Sequence, residues 1–450
     1  MALRRSILLC LLLAACASEP EMPDAAPTKP VVMGAHGPLS DRQVKALFAK
    51  LGPAQDTLQR HLAVEQAVAE TPLFAGNQTR VLENGPVTFE TMFETIRAAR
   101  DHVNLEYFIL EDVKSGGLTL GDLLVAKAHQ GVQVNVIYDS YGSISTDQVF
   151  FDRLMREGIK VVQYNPLNPL DAKAGYAPNS RDHRKILVVD GATAIIGGVN
   201  LSSSYTSAGP GHKAKPDDPP SLPWRDTDLM IQGPAVAQLQ QLFVDHWQAQ
   251  KGPEIDTAHF FPALAQKGTE AVRVIGSTPD KEIPRFYVTL LSAIRTAETR
   301  VWINTAYFVP THQEMEDLIS AAKRGVDVRL VVPDSSDSDL AIDVQHSRYD
   351  DLLEAGVKIY ETHDEILHSK TATVDGVWSV IGSSNFDHRS VILNDEVDAV
   401  VVGADAAKAL EALYRRDVDK ANKIELAVWR QRPFFQKIRE LIARTTQVML

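Results

Sequence analysis

The segment His183-Arg184-Lys185-Ile186-Leu187-Val188-Val189-Asp190-Gly191 recurs as His368-Ser369-Lys370-Thr371-Ala372-Thr373-Val374-Asp375-Gly376, and both copies read HxKxxxxDG. Each is followed by a second short run, Gly197-Gly198-Val199-Asn200 and Gly382-Ser383-Ser384-Asn385, with the asparagine seventeen residues after the histidine in both. A lone HxK carries no information. Two copies with one spacing mean that the chain is a duplication, and a duplicated chain folds as two like halves. The flanks repeat as well: Asn104-Leu-Glu-Tyr-Phe-Ile-Leu answers Asn304-Thr-Ala-Tyr-Phe-Val-Pro, and Gln130-Gly-Val-Gln-Val-Asn-Val-Ile-Tyr-Asp139 answers Arg324-Gly-Val-Asp-Val-Arg-Leu-Val-Val-Pro-Asp334.

Within each copy, helical stretches (89–99, 120–129, 286–297 and 315–323) alternate with short β-branched runs. Gly-Val or Gly-Ile junctions mark the end of a helix and the start of a strand. This alternation predicts an α/β fold in which each half is a mostly β-sheet core flanked by helices. The organisation expected is a first half over 80–255 and a second over 256–425, preceded by a helical segment over 41–79. An amphipathic basic helix is expected over 426–450. Residues 206–223 carry five prolines and have no counterpart in the second half; proline is excluded from helix interiors and central strands, so this is a loop, either a surface insertion or a lid.

The first residues, MALRRSILLCLLLAACASEP, show a basic start and an apolar stretch too short to span a bilayer. Leu13-Ala14-Ala15-Cys16 resembles the lipobox of bacterial lipoproteins. The expectation is a signal peptide over 1–15, lipidation at Cys16, and a disordered linker over 16–40 rich in Pro, Ala and Glu. The localisation this implies is an exported, periplasm-facing lipoprotein, with the outer membrane favoured because no aspartate follows Cys16. The only cysteines are Cys10 and Cys16, so a mature chain with a lipidated Cys16 has no disulfide framework.

Together these motifs resemble those of the phospholipase D superfamily, and the wider pattern from about residue 55 to 450 resembles bacterial cardiolipin synthases. Asn394-Asp395-Glu396, Tyr349 with Leu352 to Gly356, and Trp429 with Arg432-Pro433 all fit it. Many cardiolipin synthases begin with transmembrane helices; the lipobox here is a departure. The resemblance implies two halves related by a pseudo-twofold, with one active site at their interface. It also implies that Asp226 and Glu396 are the carboxylate partners of the histidines.

The chemistry follows from the residue types. A phosphodiester repels nucleophiles by its own charge, so a catalyst must neutralise that charge, attack, and protonate the leaving alkoxide. Lys185 and Lys370 are fixed cations, and Asn200, Asn385 and Ser383 are candidate donors to phosphate oxygens. One neutral histidine attacks phosphorus while the other protonates the departing alcohol. His183 as nucleophile and His368 as acid is the working assignment, and the reverse fits the sequence equally well. Asp190 and Asp375 read as structural acids at strand ends. No cofactor is expected, and neither motif has zinc-ligand spacing.

The function expected is phosphatidyl transfer through a phosphohistidine, giving cardiolipin from two phosphatidylglycerol molecules. A hydrolytic phospholipase D uses the same residues. An exported nuclease is disfavoured by the net charge of −12 and by the lack of a basic-aromatic stripe, so no nucleic-acid partner is expected. The expected partners are a phospholipid membrane and an anionic lipid substrate. Because both motifs lie in one chain, a monomer is the expected active unit.

Overall fold

The computed structural model describes residues 28–49, 55–69, 71–168, 177, 179–206, 222–279, 283–336 and 338–445. The expectations for the signal peptide, Cys16 and most of the 206–223 loop lie outside these residues.

Among the described residues, seven strands of each half follow one order. In the first half, Leu73–Glu83 is followed across the sheet by Thr227–Gln232, Thr193–Gly197, Lys185–Val189 and His102–Tyr107, all antiparallel. Gln133–Asp139 and Lys160–Tyr164 then extend the sheet in parallel. In the second half, Glu270–Ser277, Asn394–Val402, Trp378–Gly382, Lys370–Val374 and Arg300–Thr305 repeat the antiparallel part. Asp327–Pro333 and Lys358–Thr362 repeat the parallel part. The parallel steps are crossed by helices, as the alternation in the sequence requires.

The halves join edge to edge and face to face. Leu73–Glu83 pairs antiparallel with Glu270–Ser277, which links the two sheets across the pseudo-twofold. Alternation along the motif strand explains the packing. Ile186 and Val188 point into a core shared with Val272, Val274, Ile381, Val397, Ala399 and Val401 of the other half. Leu187 and Val189 point the opposite way, onto Phe89, Met92, Phe93, Ile96, Leu124 and Leu154 of the flanking helices. Each such fully buried aliphatic side chain contributes roughly 2 kcal/mol.

Two reciprocal strand pairs fix how the halves meet. Arg181–Asp182, just before His183, runs parallel to Asn394–Asp395, just before Glu396. Trp224–Arg225, just before Asp226, runs parallel to Ile366–Leu367, just before His368. The backbone continues both pairings, with His183 N–H donating to the Asp395 carbonyl at 2.9 Å and His368 N–H to the Arg225 carbonyl at 2.7 Å.

Three expectations need correction. Within the linker expected over 16–40, Val32–Gly34 and Gly37–Pro38 form a hairpin; Val32 is buried and pairs with Leu73. The Val31-Val32-Met33 run supplies a β-branched partner that overall composition concealed. The helical segment expected over 41–79 contains helices Asp41–Phe48 and Gln55–Ala69, but it ends early, because Leu73–Glu83 is a strand. The C-terminal helix is two pieces, Leu426–Trp429 and Phe434–Thr445, with Pro433 between them.

Asp190 and Asp375 hold strand ends. Asp375, in the left-handed region at φ 53°, accepts the N–H groups of Glu298, Thr299 and Arg300. Asp190, at φ 52°, does the same for Arg100, Asp101 and His102. Asp375→Ala removes the acceptor for three donors and is expected to lower stability by about 2–4 kcal/mol. Asp375→Asn keeps an oxygen, tolerates the positive φ, and is expected to cost less than half as much. Urea unfolding midpoints check both, and equal losses would contradict this role.

Candidate active site

The reciprocal strand pairs deliver each histidine to a carboxylate of the opposite half. His183 Nδ1 lies 3.0 Å from Glu396 Oε2 and 3.1 Å from Oε1. His368 Nδ1 lies 2.7 Å from Asp226 Oδ2. A ring that gives Nδ1–H to a carboxylate keeps its lone pair on Nε2, the tautomer a nucleophile or base needs. All four side chains are buried.

The lysines sit two residues on, on the same face. Lys185 Nζ donates to the His183 carbonyl at 2.6 Å, and Lys370 Nζ lies 2.9–3.1 Å from the His368 ring nitrogens. Burial pulls Lys185 down to about 7, with Lys370 lowering it further against the attraction of Glu396. Burial likewise lowers His183 below its ordinary value, with Lys185 and Lys370 adding to it against the pull of Glu396, and the balance favours the neutral ring. Burial pushes Glu396 up, but His183 and Lys185 outweigh it and the carboxyl lies below its usual range. Asp226 is different: burial raises it to about 6 despite Lys370.

The remaining expected residues divide. Asn385 lines a cleft of about 530 Å³ together with His183, Phe108, Arg181, Tyr307 and Arg389. Asn200 lies deeper, accepting from Ile109 N–H and donating to the Tyr205 hydroxyl. Ser383, expected as a donor to phosphate, is a correction. Its hydroxyl donates to Glu396 and it is fully buried, so it steadies the carboxylate that orients His183. Its counterpart must be glycine, since a Cβ at Gly198 would sit 2.1 Å from Asp226 Oδ1.

Sequence reasoning missed the braces behind the histidines. Arg184 is buried and donates to the Glu396 and Ser277 carbonyls at 3.2 Å, and to Asp395 and Glu106 at 3.3 Å. Arg225 does the equivalent work on the other side, reaching Asp417 at 2.9 Å and Ser369 at 2.9 Å. Their signal was an arginine beside a histidine or its carboxylate partner, Arg184 after His183 and Arg225 before Asp226, both in the first half. Trp224 and Tyr205 also flank His368, at ring separations of 4.7 and 6.1 Å. Among the described residues, Glu106, Asp182 and His246 place ligand atoms within 4.8 Å of one another. Burial opposes charge on His246, yet Glu106 and Asp182 raise it to about 9, so the group reads as an ion-pair cluster completed by Arg184.

Two like halves that cross two histidine–carboxylate pairs, each beside a lysine, at their interface, with His183 on the wall of a cleft whose Tyr307 packs at 6.1 Å from the His368 ring, define a phosphodiester-transfer enzyme of the phospholipase D type. Comparison with known proteins places it more closely. A family model described as "Cardiolipin synthase, PLD-like domain" matches residues 92–209 and 290–418. A cardiolipin synthase of Alkalihalophilus pseudofirmus is 32% identical over 92% of this chain and 78% of its own. One from Geobacillus thermodenitrificans is 33% identical over 87% and 75%. The solved phosphatidylserine synthase of Haemophilus influenzae Rd KW20 shares the fold, with a TM-score of 0.65 at 12% identity over 87% of this chain and 100% of that one. The chain belongs to the cardiolipin synthase family of phospholipase D-like enzymes.

The titrations set a pH profile. His183 must be neutral to attack, so kcat/KM falls as pH drops through a value below 6.5. Lys185 must be charged to hold phosphate, so kcat/KM also falls as pH rises through about 7. The expected profile is a bell, and Lys185→Arg, which stays charged, is expected to flatten its alkaline limb. A profile that climbs steadily to pH 9 would refute this account.

Proposed function

We propose that the enzyme moves the phosphatidyl group of one phosphatidylglycerol onto the headgroup hydroxyl of another, forming cardiolipin and releasing glycerol. The observation that carries this is the crossed pair of histidine–carboxylate contacts between the halves, in a chain that covers 78% and 75% of two cardiolipin synthases.

In the first step Nε2 of His183, open to the cleft and neutral, forms a bond to phosphorus. The phosphorus–oxygen bond to the departing glycerol breaks, and His368 gives that oxygen its proton. In the second step His368 takes the proton of the acceptor hydroxyl, whose oxygen bonds to phosphorus and releases His183. Lys185 and Lys370 counter the phosphate charge throughout, with Asn385 at the cleft wall. Transesterification exchanges one phosphodiester for another, so no nucleotide is consumed.

The reading includes action at a membrane surface. Among the described residues no helix is long and apolar enough to cross a membrane. Helix Phe434–Thr445 instead exposes Phe434 (71%), Phe435 (82%), Leu441 and Ile442. Its other side packs Ala443 against Val309 and Ala341, which themselves line the cleft. Three of the basic residues over 426–450 are engaged within the protein: Arg432 with Glu440 and Asp350, Arg430 with Glu354, and Arg439 with Asp343. The apolar face is therefore the candidate for insertion beside the site. Lipidation at Cys16 and placement facing the periplasm complete the proposal.

Purified protein and phosphatidylglycerol vesicles are expected to yield cardiolipin and glycerol in equal amounts. His183→Ala and His368→Ala are each expected to reduce this at least ~10³-fold. Phosphatidic acid as the sole product would assign the enzyme to hydrolysis.

A further inference from the structure

The two catalytic half-sites are nearly symmetric, but the cleft beside them is not. Arg181 and Arg389 both line it, together with His183, Asn179 and Asn394. Strand pairing and motif spacing place Ile366 and Ser204 at the symmetry-related positions, and neither is charged. A reaction that only had to hold one phosphate between two equivalent imidazoles would give no reason for this. A reaction between two anionic lipids does, because a second phosphate enters on one side only.

The spacing fits that use. Arg181 and His183 are two apart in extended chain, so they face the same side with Cα atoms roughly 6.6 Å apart. Two phosphates joined through a glycerol, P–O–C–C–C–O–P, span a comparable length. Arg181 is buried, packs over the Tyr141 ring at 5.7 Å and lies 3.7 Å from Asp139. That acid already accepts the N–H groups of Tyr141, Gly142 and Asp182. Arg389 is tethered through the Asn179 carbonyl at 2.8 Å. The acid on this wall, Asp387, is tied down as the N-cap of helix His388–Ile392.

We infer that Arg181 and Arg389 form an acceptor subsite that binds the phosphate of the incoming phospholipid, and so select an anionic lipid over a neutral alcohol. The inference rests on the transferase reading above. Guanidinium groups suit the task because they present paired donors to phosphate oxygens and stay charged when partly buried.

The test offers the full-length enzyme phosphatidylglycerol vesicles with ethanol present, and measures the ratio of cardiolipin to phosphatidylethanol. Wild type is expected to make both. Arg181→Met with Arg389→Met is expected to lower the ratio at least ~10-fold, and the corresponding double lysine variant to recover part of it. An unchanged ratio, whether both products persist or both fall together, would overturn the subsite. Wild type that makes phosphatidylethanol but no cardiolipin would also overturn it while leaving phosphatidyl transfer standing. Wild type that makes phosphatidic acid alone would overturn the transferase reading, and the subsite with it.

Discussion

The structure depends on a crossed exchange of hydrogen bonds, in which each half supplies the carboxylate that orients the other half's imidazole. Glu396 holds His183 and Asp226 holds His368. Neither half is a catalyst by itself, since each would present a histidine with no carboxylate on Nδ1. The short parallel strand pairs at 181–182 with 394–395, and at 224–225 with 366–367, make this exchange a matter of backbone pairing. Arg184 and Arg225 then brace the exchange from behind with charge-assisted bonds.

Burying so many ionisable groups is tolerable only because they are matched. Two lysines face two carboxylates around the histidines, and the balance is uneven in an informative way. Lys185 is pulled down to about 7 and His183 lies below its ordinary value, both chiefly because burial disfavours their charged forms more than Glu396 favours them. A phosphodiester anion adds negative charge beside Lys185 and favours its charged form. Substrate therefore completes the electrostatics of the cleft as well as its chemistry, and a neutral His183 is ready to attack when the lipid arrives.

Much of this was legible in the sequence because duplication exposes it. The repeated HxKxxxxDG and the shared spacing to Asn200 and Asn385 identified the motif strands, and the alternation of helix and strand gave the two α/β halves. What could not be read was anything requiring two distant segments to meet. Spacing alone does not say that Glu396 serves His183 and not the nearer His368. Nor does it say that Ser383 points at a carboxylate instead of a phosphate. The strand at Val32–Gly34 was hidden by averaging over a polar segment, although Leu73–Glu83 gave it an edge to pair with. Arg181 was overlooked because the motif has no arginine at the matching place in its second copy; its meaning lies in that asymmetry.

The crossed orientation can be measured directly by following the ring nitrogens of His183 and His368 through a pH titration by ¹⁵N NMR, in wild type, Glu396→Gln and Asp226→Asn. The account predicts that Glu396→Gln lowers the titration point of His183 and weakens its Nδ1–H preference, with His368 unmoved, and that Asp226→Asn does the converse. If Glu396→Gln instead perturbed His368 and left His183 as it was, the two imidazoles would be oriented from within their own halves, and the shared site described here would be wrong.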